Sequence, residues 1–264
     1  DGAPQIVLDC TFVKRADRAP FLAAAQAAKV PLHGHYIEID PELAQFNACW
    51  RQCERYGHVL RPDEFRKAKD DPNMFPPPAL FAMYKALEKP HESEGFHSLQ
   101  TTKATRWKLP DGFENKAVIV DYDSTVRKTK SGDKYPRTVA DVEVFPSAGI
   151  KLKKMASEGW LLLGASNQSG VAKNDPTREV AVQCFEEANR MLGVSIEYAF
   201  DDSPAGPVSS WHRKPMPGIG VDFIWKHKLN PALCVMIGDA TSDKTFAQRC
   251  GFKFEWAKDF FELP

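Results

Sequence analysis

The chain has 264 residues, 43% hydrophobic and 27% charged, the proportions of a soluble globular protein with one large or two modest domains. Thirty-five basic residues balance 35 acidic ones, so net charge gives no support for nucleic-acid binding, although a local basic patch stays open. No apolar run approaches the roughly 18 residues of a membrane span, no secretory leader is visible, and the six cysteines form no CxxC pair. The expected setting is therefore cytoplasmic, with reduced and mostly buried thiols and no membrane partner.

The chain starts at Asp1, not at a methionine, and IVLD (Ile6–Asp9) already reads as a buried strand, so it is expected to begin in the middle of a fold. An alanine-rich helix follows over RADRAPFLAAAQAAK. HYIEID (His35–Asp40) alternates as a strand, and Pro41 opens a second helix at a favourable first position. Leu43, Phe46, Trp50 and Cys53 share an apolar face of that helix, and Asn47, Arg51 and Arg55 form a polar stripe on another. Three consecutive prolines in DPNMFPPPALF break the regularity. From Lys89 to Glu114 the sequence is polar and poor in periodic hydrophobics, as a domain junction would be.

Beyond it, short apolar strands alternate with amphipathic helices. VIVD, WLLLGA (Trp160–Ala165), SIEYAF and CVMIGD (Cys234–Asp239) are the expected strands. Helices are expected over Ala148–Glu158, Pro176–Leu192 and Gly218–Lys228. This alternation predicts an α/β fold, a parallel sheet with helices on both faces, with its site at the carboxyl ends of the strands. The polar residues collect there. VIV runs into DYDST, the second strand into SNQSG and the fourth into GDATSD, with HRKPMPG between the third and fourth.

Asp121 and Asp123 pose an electrostatic problem, because like charges this close repel unless a cation lies between them or one is protonated. A DxD alone fits an ordinary turn. In this company it reads as phosphoryl transfer. Asp121 and Asp239 can share a hard Mg²⁺, Asp121 can attack phosphorus, and Asp123 can protonate the leaving oxygen and later activate water. Ser166 and Asn167 can donate to phosphoryl oxygens, and Lys214 can neutralise developing charge. Asp243, one helical turn beyond Asp239, suits the metal or its waters; a structural ion pair is an equal reading. The metal candidates are thus Asp121, Asp123, Asp239 and Asp243, and Thr125 and Arg213 join the substrate-binding candidates.

DxDxT, SNQ, RKPxPG and GDxxxD, in that order from Ala117 to about Leu263, resemble the four motifs of the haloacid-dehalogenase (HAD) superfamily of phosphatases. SNQSG and RKPMPG look like the subgroup of histidinol-phosphatase, heptose-bisphosphate phosphatase and the polynucleotide kinase 3'-phosphatase family. The resemblance implies Asp121 as nucleophile, Asp123 as acid/base, Ser166 and Lys214 as phosphate ligands and Asp239 as metal ligand. RKTKSGDKYP and the tail SDKTFAQRCGFKFEWAKDFF resemble the polynucleotide enzymes. The interval FDDSPAGPVSSWH before Arg213 lacks the cysteine cluster that binds zinc in the sugar and histidinol enzymes, so no zinc is expected. Ser124 stands where the family more often has glycine.

IVLDCTFVKRADRAPFL, NACWR and FAMYKALEKPHESEGF resemble the second half of the P-loop kinase domain of the same family, where the helix carrying Arg51 and Arg55 belongs to a lid over nucleotide phosphates. A solvated helix face explains those arginines equally well. GxxxxGK[ST] is absent. Either the chain is a fragment whose upstream part held that loop, or its kinase half is degenerate. ATP and 5'-kinase activity are expected only with the loop present. The expected organisation is a partial kinase-like α/β module over 1–96, a linker over 97–114 and a HAD phosphatase domain over 115–264. The favoured substrate is a 3'-phosphate at a nucleic-acid end, met by Arg127, Lys128 and Lys130, with Lys134 and Arg137 nearby. Trp107 and Trp211 are candidates for base stacking or plain core residues. The alternatives are a small-molecule phosphatase of the histidinol- or heptose-phosphate type, and a phosphatase whose kinase-like half serves only for docking.

Overall fold

The computed structural model describes residues 5–66, 68, 70–106 and 108–263. In chain order they form α1 (Arg15–Ala28), β1 (His33–Glu38), α2 (Pro41–Tyr56), α3 (Pro77–Ala86), β2 (Ser98–Lys103), β3 (Ala117–Val120), β4 (Arg127–Thr129), β5 (Val142–Val144), α4 (Pro146–Ser157), β6 (Leu161–Asn167), α5 (Arg178–Leu192), β7 (Glu197–Asp201), α6 (Gly218–His227), β8 (Val235–Gly238), α7 (Thr241–Cys250), β9 (Lys253–Trp256) and α8 (Ala257–Phe261). They divide into two compact units, residues 1–41 with 79–105 and residues 42–78 with 106–264. No helix among the described residues is long and apolar enough to cross a membrane.

In the first unit β1 and β2 pair in parallel, His33 opposite Ser98 through Glu38 opposite Lys103. Buried Arg18 ties it together, reaching both carboxylate oxygens of Glu94 at 2.8 Å and the Phe12 carbonyl at 2.9 Å. Two expectations change here. Ile6–Asp9 forms no strand, and Ile6 and Val7 are 80% and 77% exposed. β-Favouring residues cannot hold a strand whose backbone groups have no neighbour to pair with. Conversely, β2 lies within the expected linker 97–114. Five of its six residues face solvent, so the apolar alternation that betrays a strand is missing from its sequence.

The second unit is built on a parallel sheet in the order β7-β6-β3-β8-β9. All four residues of β3 are buried, as a central strand covered on both faces requires. Ala181, Phe185, Ala188 and Leu192 are the inward positions of α5, and all are buried. After β3 the chain lays β6 and β7 on one side of it, then returns to place β8 and β9 on the other. The crevice at that reversal, outside the carboxyl ends of β6, β3 and β8, is where such sheets bind ligands. Between β3 and α4, β4 and β5 form a small antiparallel pair that strand periodicity did not signal.

α2 buries Phe46, Trp50 and Cys53, and Trp50 packs edge-on to Trp225 with ring centroids 5.3 Å apart. α3 starts at Pro77, so the prolines sit at the beginning of a helix, where a missing N–H costs nothing. Trp211 is fully buried and its indole N–H donates to the Phe75 carbonyl at 3.0 Å. Of the two readings of that tryptophan, the core one holds. Trp107 lies outside the described residues.

Candidate active site

The site begins where β3 ends. The backbone N–H of Asp121 still donates to the Ile237 carbonyl (3.0 Å), carrying the pairing with β8 one residue further. The chain then turns: the Tyr122 carbonyl accepts from the N–H groups of Thr125, Val126 and Arg127 at 3.2, 3.0 and 2.9 Å. Ser124 holds the turn with φ 61°, the left-handed region that favours glycine, which is the physical sense of a glycine at this position. The turn ends the strand alternation, so Asp121 and Asp123 meet different partners.

Asp121 enters an acid cluster. Asp121, Asp239 and Asp243 each offer a carboxylate oxygen, all within 4.8 Å of one another. The Lys214 ammonium stands 2.7 Å from Asp121 and 2.7 Å from Asp243. Its backbone is clamped by Asn167, whose side-chain amide donates to the Lys214 carbonyl (2.8 Å) and whose oxygen accepts the Lys214 N–H (2.9 Å). Asp243 also accepts the Ala240 N–H at 3.1 Å. This close approach requires Gly238, since a Cβ there would lie 2.4 Å from Asp243 Oδ2. Thr125 Oγ1 sits 3.5 Å from Asp239.

Burial pushes the Asp121 carboxyl well above its ordinary range, with help from the Asp243 and Asp123 charges and against the pull of Lys214. Burial and the neighbouring Asp243 raise Asp239 as well. The charges of Asp121 and Asp243 raise Lys214 despite its burial. With every carboxyl ionised, three carboxylates around one ammonium carry two negative charges in excess. An all-oxygen ligand set with that excess suits a hard divalent cation such as Mg²⁺, and Asp239, the exposed member, gives it a way in.

Asp123 lies outside this cluster. Its carboxylate accepts from Arg127 Nε at 2.8 Å and Nη2 at 3.3 Å, and from the Gln168 amide at 2.8 Å. The Asp123 side chain, expected among the metal ligands, stands outside the cluster, because the turn at Ser124 folds it onto Arg127. The expectation for Arg127 is corrected. Arg127 is 1% exposed, with its guanidinium 4.4 Å from the Phe185 ring and 5.3 Å from that of Tyr122. It supports Asp123 and is unavailable to a nucleic-acid backbone.

Gln168 is the last residue of SNQ, and the motif gives it no role of its own. The same amide nitrogen also donates to buried Ser166 at 2.9 Å, so it ties Ser166 to Asp123. Only its position one residue past the end of β6 could have marked it. Asp243 is at once an ion-pair partner of Lys214 and a member of the acid cluster, so its two readings coexist. The Arg213 guanidinium reaches the Ser203 carbonyl at 3.3 Å and stands 3.9 Å from Asp201. Lys128 pairs with Glu143 at 3.2 Å, and Lys130 donates to the Ala140 carbonyl at 2.7 Å. In α2, Arg51 reaches Asn73 at 3.5 Å and Arg55 pairs with Asp71 at 3.2 Å.

The family model described as "Polynucleotide kinase 3 phosphatase" matches residues 116–261, more than half of the chain. The chain belongs to this family. The match lies wholly within the second unit. The bifunctional polynucleotide phosphatase/kinase of Schizosaccharomyces pombe is 29% identical over 161 residues, 55% of this chain but only 37% of that protein. The D-glycero-D-manno-heptose-1,7-bisphosphate 7-phosphatase of Thermosynechococcus vestitus is 25% identical over 150 residues, 51% of this chain and 74% of that one. Among solved structures, a D,D-heptose 1,7-bisphosphate phosphatase from B. bronchiseptica, complexed with magnesium and phosphate, aligns with a TM-score of 0.47 at 19% identity. That alignment covers 53% of this chain and 78% of the other.

Proposed function

We propose that this protein is a Mg²⁺-dependent phosphomonoesterase that removes 3'-phosphates from polynucleotide ends through an aspartyl-phosphate intermediate. The observation that carries the chemistry is the separation of the two carboxylates. Asp121 lies in the acid cluster with Lys214, while Asp123 is held apart by Arg127 and Gln168. Two carboxylates in different environments can take different roles. Asp121, Asp239 and Asp243 would hold the metal, which when bound neutralises charge on the phosphoryl oxygens.

An Asp121 carboxylate oxygen attacks phosphorus and the bond to the leaving oxygen breaks. Asp123 delivers a proton to that oxygen. Asp123, now a carboxylate, takes a proton from water, whose oxygen attacks the same phosphorus. The Asp121–phosphorus bond breaks and inorganic phosphate leaves. Throughout, Lys214 offsets charge on the transferring group, and Ser166 offers a buried hydroxyl to its oxygens.

Family membership and the name of the S. pombe relative support the polynucleotide substrate, together with the exposed Lys128, Lys130 and Lys134 after the nucleophile. Surface pairs such as Lys128–Glu143 are weak and can yield to a phosphate. The similarity to heptose-bisphosphate phosphatases favours a second reading, a small sugar phosphate. The first unit, with its parallel β1–β2 pair, we read as the kinase-like module, either part of a kinase or a docking element.

Side-by-side kinetics with Mg²⁺ on a 3'-phosphorylated oligonucleotide and a heptose bisphosphate, at low and high salt, test the substrate. We expect a higher kcat/KM for the oligonucleotide, shrinking as salt rises because phosphate contacts release counterions. Equal or better use of the sugar, with no salt-dependent advantage, would reject it. Asp121→Asn and Asp123→Asn should each abolish turnover, and near-normal turnover in either would reject the chemistry.

A further inference from the structure

A cleft of about 380 Å³ shares Asp239 with the acid cluster and is lined besides by Ser124, Phe145, Trp256, Lys258 and Asp259. That volume is within the range of small-ligand sites. Trp256 is the last residue of β9 and stands in register with Gly238, the residue before Asp239. β9 is an edge strand, so the tryptophan reaches the carboxyl edge of the sheet beside the reacting centre. It is 37% exposed. The Phe254 ring meets it edge-on at 4.8 Å and an interplanar angle of 87°, so the indole is held in orientation while part of it stays open.

We propose that this cleft seats the terminal nucleoside of the substrate, with its base stacked on Trp256. The inference rests on the polynucleotide reading of the site and adds what receives the leaving group. Asp239 belongs both to the acid cluster and to the cleft wall, so a phosphate at Asp121 places the group esterified to it at the cleft mouth. An aromatic platform suits any nucleobase, since every base has a π-face, and it orders few rotatable bonds. Lys258 is exposed in the same wall, and the Lys128 ammonium stands 5.8 Å from the Phe145 ring centroid. Both lysines can meet the next backbone phosphate.

The test compares two 3'-phosphorylated oligonucleotides that differ only in the terminal residue, one carrying a base and one abasic. Wild-type protein should prefer the base-bearing end in kcat/KM by about 5- to 150-fold, the worth of one base–aromatic stack. The preference should lie mainly in KM, because stacking is equal in ground and transition states. Trp256→Ala should bring the ratio close to one, whereas Trp256→Phe should keep most of it. Equal use of the two ends by wild type, or an undiminished preference in Trp256→Ala, overturns the inference while the polynucleotide reading stands. Failure of wild type to cleave any 3'-phosphorylated polynucleotide overturns that reading, and the inference with it.

Discussion

Arg127 separates two accounts of the loop after Asp121 and Asp123. If it supports Asp123, Arg127→Met should damage stability and chemistry together. If it meets nucleic acid, only polynucleotide binding should suffer. The guanidinium is 1% exposed and grips Asp123 through a fork of 2.8 and 3.3 Å. Breaking a buried ion pair by removing one partner costs about 3–5 kcal/mol, and a desolvated contact with Phe185 adds up to about 2 kcal/mol. Two terms reduce the loss. Asp123 is 20% exposed and keeps Gln168, and Arg127 Nη1 has no partner among the described residues, so its removal relieves about 1–3 kcal/mol. The net expectation is about 3 kcal/mol, a fall in Tm of about 6–12 °C for a unit of this size. With Asp123 held by Gln168 alone, kcat on a small phosphomonoester should drop about 100-fold, the lower end of what general acid catalysis contributes. Thermal melts and steady-state kinetics on that ester and on an oligonucleotide, at two salt concentrations, check it. A variant with wild-type Tm and wild-type turnover of the small ester, but weaker and less salt-sensitive use of the oligonucleotide, would refute the reasoning.

Gly238→Ala drives a methyl group against Asp243 and should cost about 1–3 kcal/mol in stability; the same displacement disturbs Lys214, so a variant with normal melting and normal turnover would show the contact to be slack. Lys214→Met removes the ammonium that stands 2.7 Å from both Asp121 and Asp243, and should destabilise the metal-free protein by about 3–5 kcal/mol, by chemical denaturation, as well as abolishing turnover. Added Mg²⁺ should raise the Tm of wild type, and that of Lys214→Met by more, because the cation then meets three uncompensated carboxylates; no stabilisation of either protein would argue against the metal site.

Much of this protein can be read from its amino-acid order. Four short strand-like runs, three of them ending in polar motif residues, mark the parallel sheet and the edge where those motifs gather, because a strand buried on both faces reads as an apolar run. The spacing of Asp121, Ser166, Lys214 and Asp239 at those ends needs no coordinates, since topology carries the carboxyl ends of parallel strands to one side. Strands without an apolar signature escaped. β2 is largely exposed, and β4, β5 and β9 are three or four residues long, too short for a period to show. Ile6–Asp9 erred the other way, since propensity is local and pairing is not.

Side-chain partners were the other thing out of reach. The sequence shows five basic residues in one loop, Arg127, Lys128, Lys130, Lys134 and Arg137, with nothing to rank them. Only the turn around the Tyr122 carbonyl, with Ser124 at positive φ, buries Arg127 against Phe185 and leaves Lys128 outside. That same turn parts Asp121 from Asp123, which as a strand would have faced the same way. Sequence by itself determined the type of sheet, the edge at which the motif residues gather and which residues gather there, because these follow from hydrophobic period and chain order. Which carboxylate joins the cluster and which stands apart was decided by tertiary structure alone. Partners such as Phe185, Gln168 and Asp243 arrive from distant positions, and their approach depends on packing that no local spacing encodes.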